Sequence, residues 1–224
     1  MKTVFVLGGR GDIGTAICRK FGEQGCQVIA PTSQELDLAD VNSVTRYFDD
    51  KDIRADVLVN SAGWNVPKPI DEIGIEDIKR SQSINVLGFY QVLKYFLPAF
   101  KERREGYVVA VSSLYGTFAR SKRLPYVMSK HALNGLIKTL AIELGPYNIK
   151  VNAVSPGFVD TKMTRKNNDA RTIKSFEERI PLGRLAAPSA IANIVYFLCS
   201  SENDYITGQD IIIDGGYSIG GFQA

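Results

Sequence analysis

Tyr126 and Lys130 stand four residues apart in YVMSK, and Ser113 lies thirteen residues before Tyr126. The apolar-periodic run HALNGLIKTLAIEL follows, so the segment is expected to be helical and positions i and i+4 share a face. A phenol and an ammonium are thereby held side by side. Ser113 closes the apolar run YVVAVSS, which reads as a buried strand. A serine at a strand's carboxyl end and a tyrosine on the next helix can meet over the top of a parallel sheet, where such sheets bind ligands. A free phenol titrates near ~10, and bringing it to about 7 takes ~4 kcal/mol. One cation at about 4 Å supplies energy of that order at an effective dielectric near ~20. The expected chemistry is proton transfer at neutral pH, with Tyr126 as acid and base and Lys130 as the cation that tunes it.

Elements that could hold these residues alternate along the chain. KTVFVLGG, CQVIA, DVLVN, YVVAVSS, IKVNAVS and QDIIIDGG read as strands. DIGTAICRKFGEQG, a long segment over 75–100, the YVMSK segment and PSAIANIVYFLCSS from Pro188 read as helices. Strand and helix in alternation imply a parallel sheet covered on both faces, an α/β fold. No repeat or linker divides the 224 residues, so one domain over 1–224 is expected. Between the strand at CQVIA and Asp37 there is little room for a full helix. The polar stretch 161–179 is too long for an ordinary connection and reads as a lid or a disordered segment.

The first strand runs into LGGRGDIG, where Gly9, Gly11 and Gly14 fit G-x-G-x-x-G between strand and helix. Glycines there let backbone N–H groups approach a pyrophosphate at a helix N-terminus. Gly8, Gly11 and Gly14 equally fit GxxGxxG, and Asp12 is placed to cap the helix.

Together these motifs resemble the short-chain dehydrogenase/reductase family over nearly the whole chain, in the manner of 3-oxoacyl-carrier-protein reductases. The resemblance implies a single-domain Rossmann fold with a doubly wound sheet of about seven strands. It makes Ser113 the group that orients the carbonyl, Tyr126 the proton donor, Lys130 a grip on the nicotinamide ribose, and Asn85 in SINVLGFY the end of a proton relay. Asn60-Ser61-Ala62-Gly63 matches the family's NNAG segment, with Ser61 as a departure. Asp37 and Leu38 match the segment beside the adenine, and Pro156, Gly157 and Thr161 match PGxxxT at the nicotinamide. Cofactor contacts are accordingly expected at Gly8, Arg10, Gly11, Asp12, Ile13, Gly14, Thr32, Ser33, Asp37, Leu38, Asn60, Ala62, Gly63, Tyr126, Lys130, Pro156, Gly157, Val159 and Thr161. The GxxGxxG spacing and SQELDLADVNSV resemble instead the nucleotide-sugar branch of the superfamily, so the amino-terminal third looks like one branch and the rest like another.

NADP(H) is expected over NAD(H). The stretch Ala30 to Gln34 after strand 2 offers hydroxyls and no carboxylate, and Arg10 can face a 2′-phosphate. Glu35 reaches the ribose only if the loop shifts. The resulting reading is a cytoplasmic NADPH-dependent oxidoreductase that reduces a ketone or 3-oxo group, or runs the reverse, on a small-molecule substrate. A nucleotide-sugar epimerase or dehydratase is an alternative, although that branch usually carries a further carboxyl-terminal domain. A non-catalytic NADP-binding sensor is another, although such proteins typically lose the tyrosine or lysine.

Other features bound the function. Cys18, Cys26 and Cys199 form no close-spaced metal pattern, so no metal is expected, and their odd number suits a reducing compartment. The start MKTVFVLGG is too short for a signal peptide, and no apolar run nears the ~20 residues of a membrane span. Neither a nucleic acid nor a membrane is an expected partner. His131 sits at i+5 from Tyr126 and should point elsewhere. Trp64, after the NSAG segment, is a candidate pocket wall. Arg120, Lys122 and Arg123 in the loop before Tyr126 carry +3 with no acid. The segment 158–184 also carries +3, from Lys162, Arg165, Lys166, Arg171, Lys174, Arg179 and Arg184 against Asp160, Asp169, Glu177 and Glu178. Because the whole chain is only +3, this concentration suits an anionic or carrier-bound substrate. The helices over 75–100 and after Tyr126 are apolar on more than one face, and the resemblance implies a homotetramer built on them.

Overall fold

A computed structural model describes residues 1–49 and 51–220. Six strands are seen: β1 (Thr3–Leu7), β2 (Gln27–Ile29), β3 (Val57–Asn60), β4 (Gly106–Val111), β5 (Ile149–Pro156) and β6 (Asp210–Ile213). They form one parallel sheet in the order β2-β1-β3-β4-β5-β6. Successive β1 side chains point to opposite faces, as a period of two requires. Phe5 and Leu7 enter one core, Val4 and Val6 the other. β3 and β4 are buried along their whole length, because helices cover both faces.

On the first face lie α2 (Val41–Asp49), α3 (Ile75–Gln82), α4 (Gly88–Arg103) and α5 (Leu124–Leu144). On the second, α1 (Asp12–Glu23) packs against α8 (Pro188–Leu198), with Ile17, Phe21, Ile191 and Val195 all buried. Pro188 begins α8, where its missing N–H costs nothing. The chain passes from β1 outward to β2, then returns across β1 to β3. The crevice beyond the carboxyl ends of β1 and β3 is therefore the topological switch point.

Three expectations are corrected. The sheet has six strands among the described residues, not about seven. Between β2 and β3 the chain makes one helix and no strand, so the half of the sheet beyond β1 has one strand where the doubly wound order 3-2-1-4-5-6 has two. The helix over 75–100 is interrupted at Ser83–Leu87 by a π turn, a widening often found at functional sites. Of the two readings of segment 161–179, lid or disordered, disorder is the one that fails: it forms α6 (Lys162–Asn167) and α7 (Ala170–Arg179), capped by the Thr161 and Asp169 side chains. A last short helix, α9, spans Tyr217–Gly220.

Candidate active site

The glycine turn follows β1 directly. Gly8 has φ +71°, and a Cβ there would stand 2.5 Å from the Ala62 nitrogen. A Cβ at Gly14 would collide with the Gly8 carbonyl. Only glycines let the turns after β1 and β3 pack in contact. Gly11 is the N-cap of α1 and makes no side-chain cap bond, so N–H groups of the first turn are left for an external acceptor. A Cβ at Gly11 would meet only the Gly8 carbonyl, at 3.5 Å. Asp12 does not cap α1. It is the first helical residue, and its Oδ2 accepts the Lys162 backbone N–H at 2.6 Å, tying the glycine turn to the start of α6.

Lys130 is buried on α5, and its Nζ donates to the Val111 carbonyl at 2.8 Å, at the end of β4. Ser113 follows that strand and caps the next turn, its Oγ accepting from the Tyr115 N–H at 3.2 Å. The Ser113 hydroxyl stands near enough to the Tyr126 phenol, across the gap between β4 and α5, to favour its ionised form. Burial pushes the Tyr126 phenol up to about 12; Ser113 pulls it back, Tyr115 raises it, and the Arg123 guanidinium lowers it. Burial also pushes the Lys130 ammonium down to about 8. Lys130, which the spacing casts as the tuning cation, is not among the groups that shift the Tyr126 phenol. Its Nζ lies 5.5 Å from the centre of the Tyr126 ring and is turned to a backbone carbonyl, and desolvation outweighs attraction at that separation.

Asn85 sits in the π turn with no exposed surface. Its Oδ1 accepts the Trp64 N–H at 2.7 Å, and its Nδ2 donates to the Trp64 carbonyl at 3.1 Å and to Ser129 Oγ at 2.8 Å. Ser81 joins this buried network through Ser129 Oγ at 3.2 Å and the Pro125 carbonyl at 2.9 Å. The side chain of Asn85 thus braces the chain after β3 against the Tyr126 turn. Ser81 and Ser129 escaped notice in the sequence because a serine in a helix gives no sign of its partners.

One cavity of about 360 Å³ opens at the switch point. Its wall takes in Arg10, Gly11, Asp12, Ile13 and Gly14 from the glycine turn, and Ala62 and Gly63 from the turn after β3. Ser113, Tyr126 and Lys130 lie on it, as do Pro156, Gly157, Val159 and Thr161. Gly8, Thr32, Ser33, Asp37, Leu38, Asn60 and Asn85 do not line it. Leu38 is buried in the first core. Asp37 Oδ1 accepts the Ala39 N–H at 2.9 Å, and Asn60 Oδ1 the Ala62 N–H at 3.1 Å. Trp64 is not on the wall, but its neighbour Asn65 is. His131 points away, its Nδ1 against the Val127 carbonyl at 3.0 Å. Among the described residues no cluster could hold a metal, and no helix is long and apolar enough to cross a membrane.

The charges are less diffuse than their count suggested. Of the seven basic residues after Gly157, Lys162 alone is on the cavity wall. Arg165 closes a two-bond pair with Asp160 at 2.7 and 2.9 Å, and Arg179 bonds Ser175. Before Tyr126, exposed Lys122 is off the wall, whereas Arg120 and Arg123 are on it. The loop after β2 also differs from expectation. Glu35 folds back, its Oε2 accepting from the Thr32 N–H at 2.7 Å and the Thr32 hydroxyl at 2.9 Å. A carboxylate does stand there, because the β2 loop turns at Thr32 and brings the acid three residues on to its own backbone.

The capless helix end, the open Gly11 and the cationic Arg10 fit a dinucleotide pyrophosphate, and Gly63 leaves a gap near Lys130 Nζ on the way to Ser113 and Tyr126. Comparison with known proteins agrees. Residues 34–218 match the family described as Enoyl-(Acyl carrier protein) reductase. The 3-oxoacyl-(acyl-carrier-protein) reductase FabG of Thermotoga maritima is 34% identical over 242 residues, covering 97% of this chain and 98% of its own. The structure of 4-hydroxyisoleucine dehydrogenase complexed with NADH superposes with a TM-score of 0.91 at 27% identity, over 98% of this chain and all of the other. ElxO with NADP bound gives 0.88 at 29% identity, over 97% and 99%. Agreement in sequence and in fold over almost the full length makes this chain a member of the short-chain dehydrogenase/reductase family of NAD(P)-dependent oxidoreductases.

Proposed function

We propose that the protein reduces the carbonyl of a small ketone or 3-oxo compound to an alcohol, with Tyr126 as proton donor. The carrying observation is that Ser113, Tyr126 and Lys130 share the wall of a cavity with the glycine turn. Ser113 donates to the carbonyl oxygen and orients it. Tyr126 is held protonated by burial, so its resting form is the acid that reduction needs. As charge grows on the oxygen, the phenol passes its proton there. Lys130 fixes the floor beneath Tyr126 through Val111, and Asn85 fixes the turn that carries Gly63. When bound, the nicotinamide supplies the hydride, or accepts it in the reverse reaction. The Thermotoga relative's name supports a 3-oxo group as the class reduced.

NADP(H) is the proposed cofactor. Arg10 stands in the glycine turn, and Thr32 and Ser33 offer hydroxyls where a 2′-phosphate would lie. Glu35 opposes this. It is exposed and held only by Thr32, so it can swing into water and release both donors.

The test is oxidation of NADPH with a panel of ketones by the wild type and Tyr126→Phe. Net oxidation by the wild type is expected, which an epimerase or a sensor would not give. Loss of the hydroxyl should lower kcat by about 100-fold or more, the usual contribution of a general acid, while NADPH still binds. A variant that keeps more than a tenth of wild-type kcat would remove Tyr126 from this role.

A further inference from the structure

The wall beside Tyr126 holds a guanidinium that the fold itself does not satisfy. Arg123 has 6% of its surface exposed, and arginine is seldom that buried without a partner. Its one hydrogen bond within the protein is a long one, Nη1 to Asn65 Oδ1 at 3.4 Å. Five donors on a planar fork are thus served by a single weak acceptor. Arg120 is its neighbour and lies half-buried. Its Nη1 donates to the Tyr115 hydroxyl at 2.9 Å, its plane lies over Phe176 at 5.1 Å, and the Tyr115 ring stands edge-on to Tyr126 at 6.4 Å. Among the described residues neither guanidinium forms an ion pair. Burial weakens the charged state of Arg123, and the neighbouring Arg120 weakens it further.

Two like charges side by side on a half-enclosed wall are unfavourable until an anion comes between them. We propose, taking the carbonyl reduction above as given, that the substrate carries its own carboxylate, held by Arg123 and Arg120 while Ser113 and Tyr126 hold its carbonyl. The planar fork of arginine meets a carboxylate through two parallel hydrogen bonds. Arg123 precedes Tyr126 by one helical turn, so carboxylate and carbonyl are only a few bonds apart. A small oxo acid fits that spacing. A thioester on a carrier protein places a neutral group there, and phosphate already has fitting groups at the glycine turn, where Arg10, Lys162 and the end of α1 line the cavity.

The experiment uses oxo acids of three to six carbons, each paired with its methyl ester, and dihydroxyacetone phosphate as the phosphate probe. The wild type should favour each accepted acid over its ester by at least tenfold in kcat/KM. In Arg123→Gln that ratio should fall about 100-fold, the scale expected when one partner of a buried charge pair is removed. Arg123→Lys, which keeps the charge and the fill of the site, should fall between. Binding is read separately by calorimetry on the cofactor-loaded enzyme, with succinate against succinamide. Succinate should bind to the wild type and not to Arg123→Gln. Carboxylate binding through Arg123 without turnover of any pair would count against carbonyl reduction and leave the anion site standing. Equal use of acids and esters, preference for the phosphate, or succinate binding unaffected by Arg123→Lys and Arg123→Gln would each overturn the proposal.

Discussion

At the scale of single residues, burial rather than neighbouring charge sets the protonation of the site. Lys130 carries an amine whose charged form is weakened to about 8 by desolvation. Below that value it is an ammonium, and as pH rises through about 8 the folded protein loses the charge. With Lys130 as the proposed contact to the cofactor ribose, the charged form is the one expected to bind better. The dissociation constant of NADPH should therefore rise between pH 7 and 9, by at most ~10-fold per pH unit above the midpoint. Lys130→Met should bind weakly and flatten that rise, which titration of cofactor fluorescence would read; an unchanged constant across the range in the wild type would contradict it. Glu35 gives a second residue-scale outcome. Glu35→Gln should raise kcat/KM with NADPH relative to NADH, and Arg10→Ala should lower it, because one removes a charge that repels the 2′-phosphate and the other a charge that attracts it. Movement in the opposite sense would make NAD(H) the cofactor.

At the scale of elements, much of the site could be read in advance and some could not. YVMSK and the run after it announce a helix because apolar residues recur at helical spacing, and Ser113 follows an unbroken apolar run. Those signals are local, and the elements form where they say. Most of the features the sequence does not show depend on contacts distant in sequence. No residue type marks the π turn over Ser83–Leu87, which shows only where Asn85 bonds Trp64 and Ser129. Helix α2 is legible in the sequence: Val41, Val44 and Phe48 have helical spacing, and Asp40 stands just before them, its Oδ1 accepting the Asn42 N–H. Lys130 was assigned to Tyr126 by spacing alone, which cannot tell that Val111 offers a nearer acceptor. Gly88, just after the π turn, ties two elements together, since a Cβ there would stand 2.5 Å from the Leu38 carbonyl. Gly88→Ala should cost about 1–3 kcal/mol through overpacking, seen as a lower urea midpoint. A midpoint equal to wild type would mean that the loop of Asp37 and Leu38 yields freely.

At the scale of the whole molecule, the helices that cover the first core leave apolar groups facing out. Leu87 and Tyr90 on one side and Met128 and Ile142 on α5 are all at least 40% exposed, more than a solvated helix face usually presents. At the sheet's edge, β6 exposes Ile212 by 40%. Both features suit contacts with further copies of the chain. A homotetramer, near four times 24.7 kDa, is the expected mass in light scattering at micromolar concentration, and a monomer would contradict it. Of the excess positive charge spread through two segments in the sequence, Arg120, Arg123 and Lys162 come onto the wall of one cavity, where Arg10 of the glycine turn joins them.

The bond from Asp12 to the Lys162 N–H spans 150 residues, and this bears on when the protein becomes competent during synthesis. β1 and the glycine turn leave the ribosome early, yet the contact that pins Asp12 awaits α6. The nascent chain cannot hold its acid there until nearly three quarters of it has emerged. A site stitched from such distant segments has high contact order, which slows its assembly. Partial chains that stop short of α6 would carry the first glycines without this contact, so functional maturation would come late in the protein's birth rather than as a by-product of its early folding.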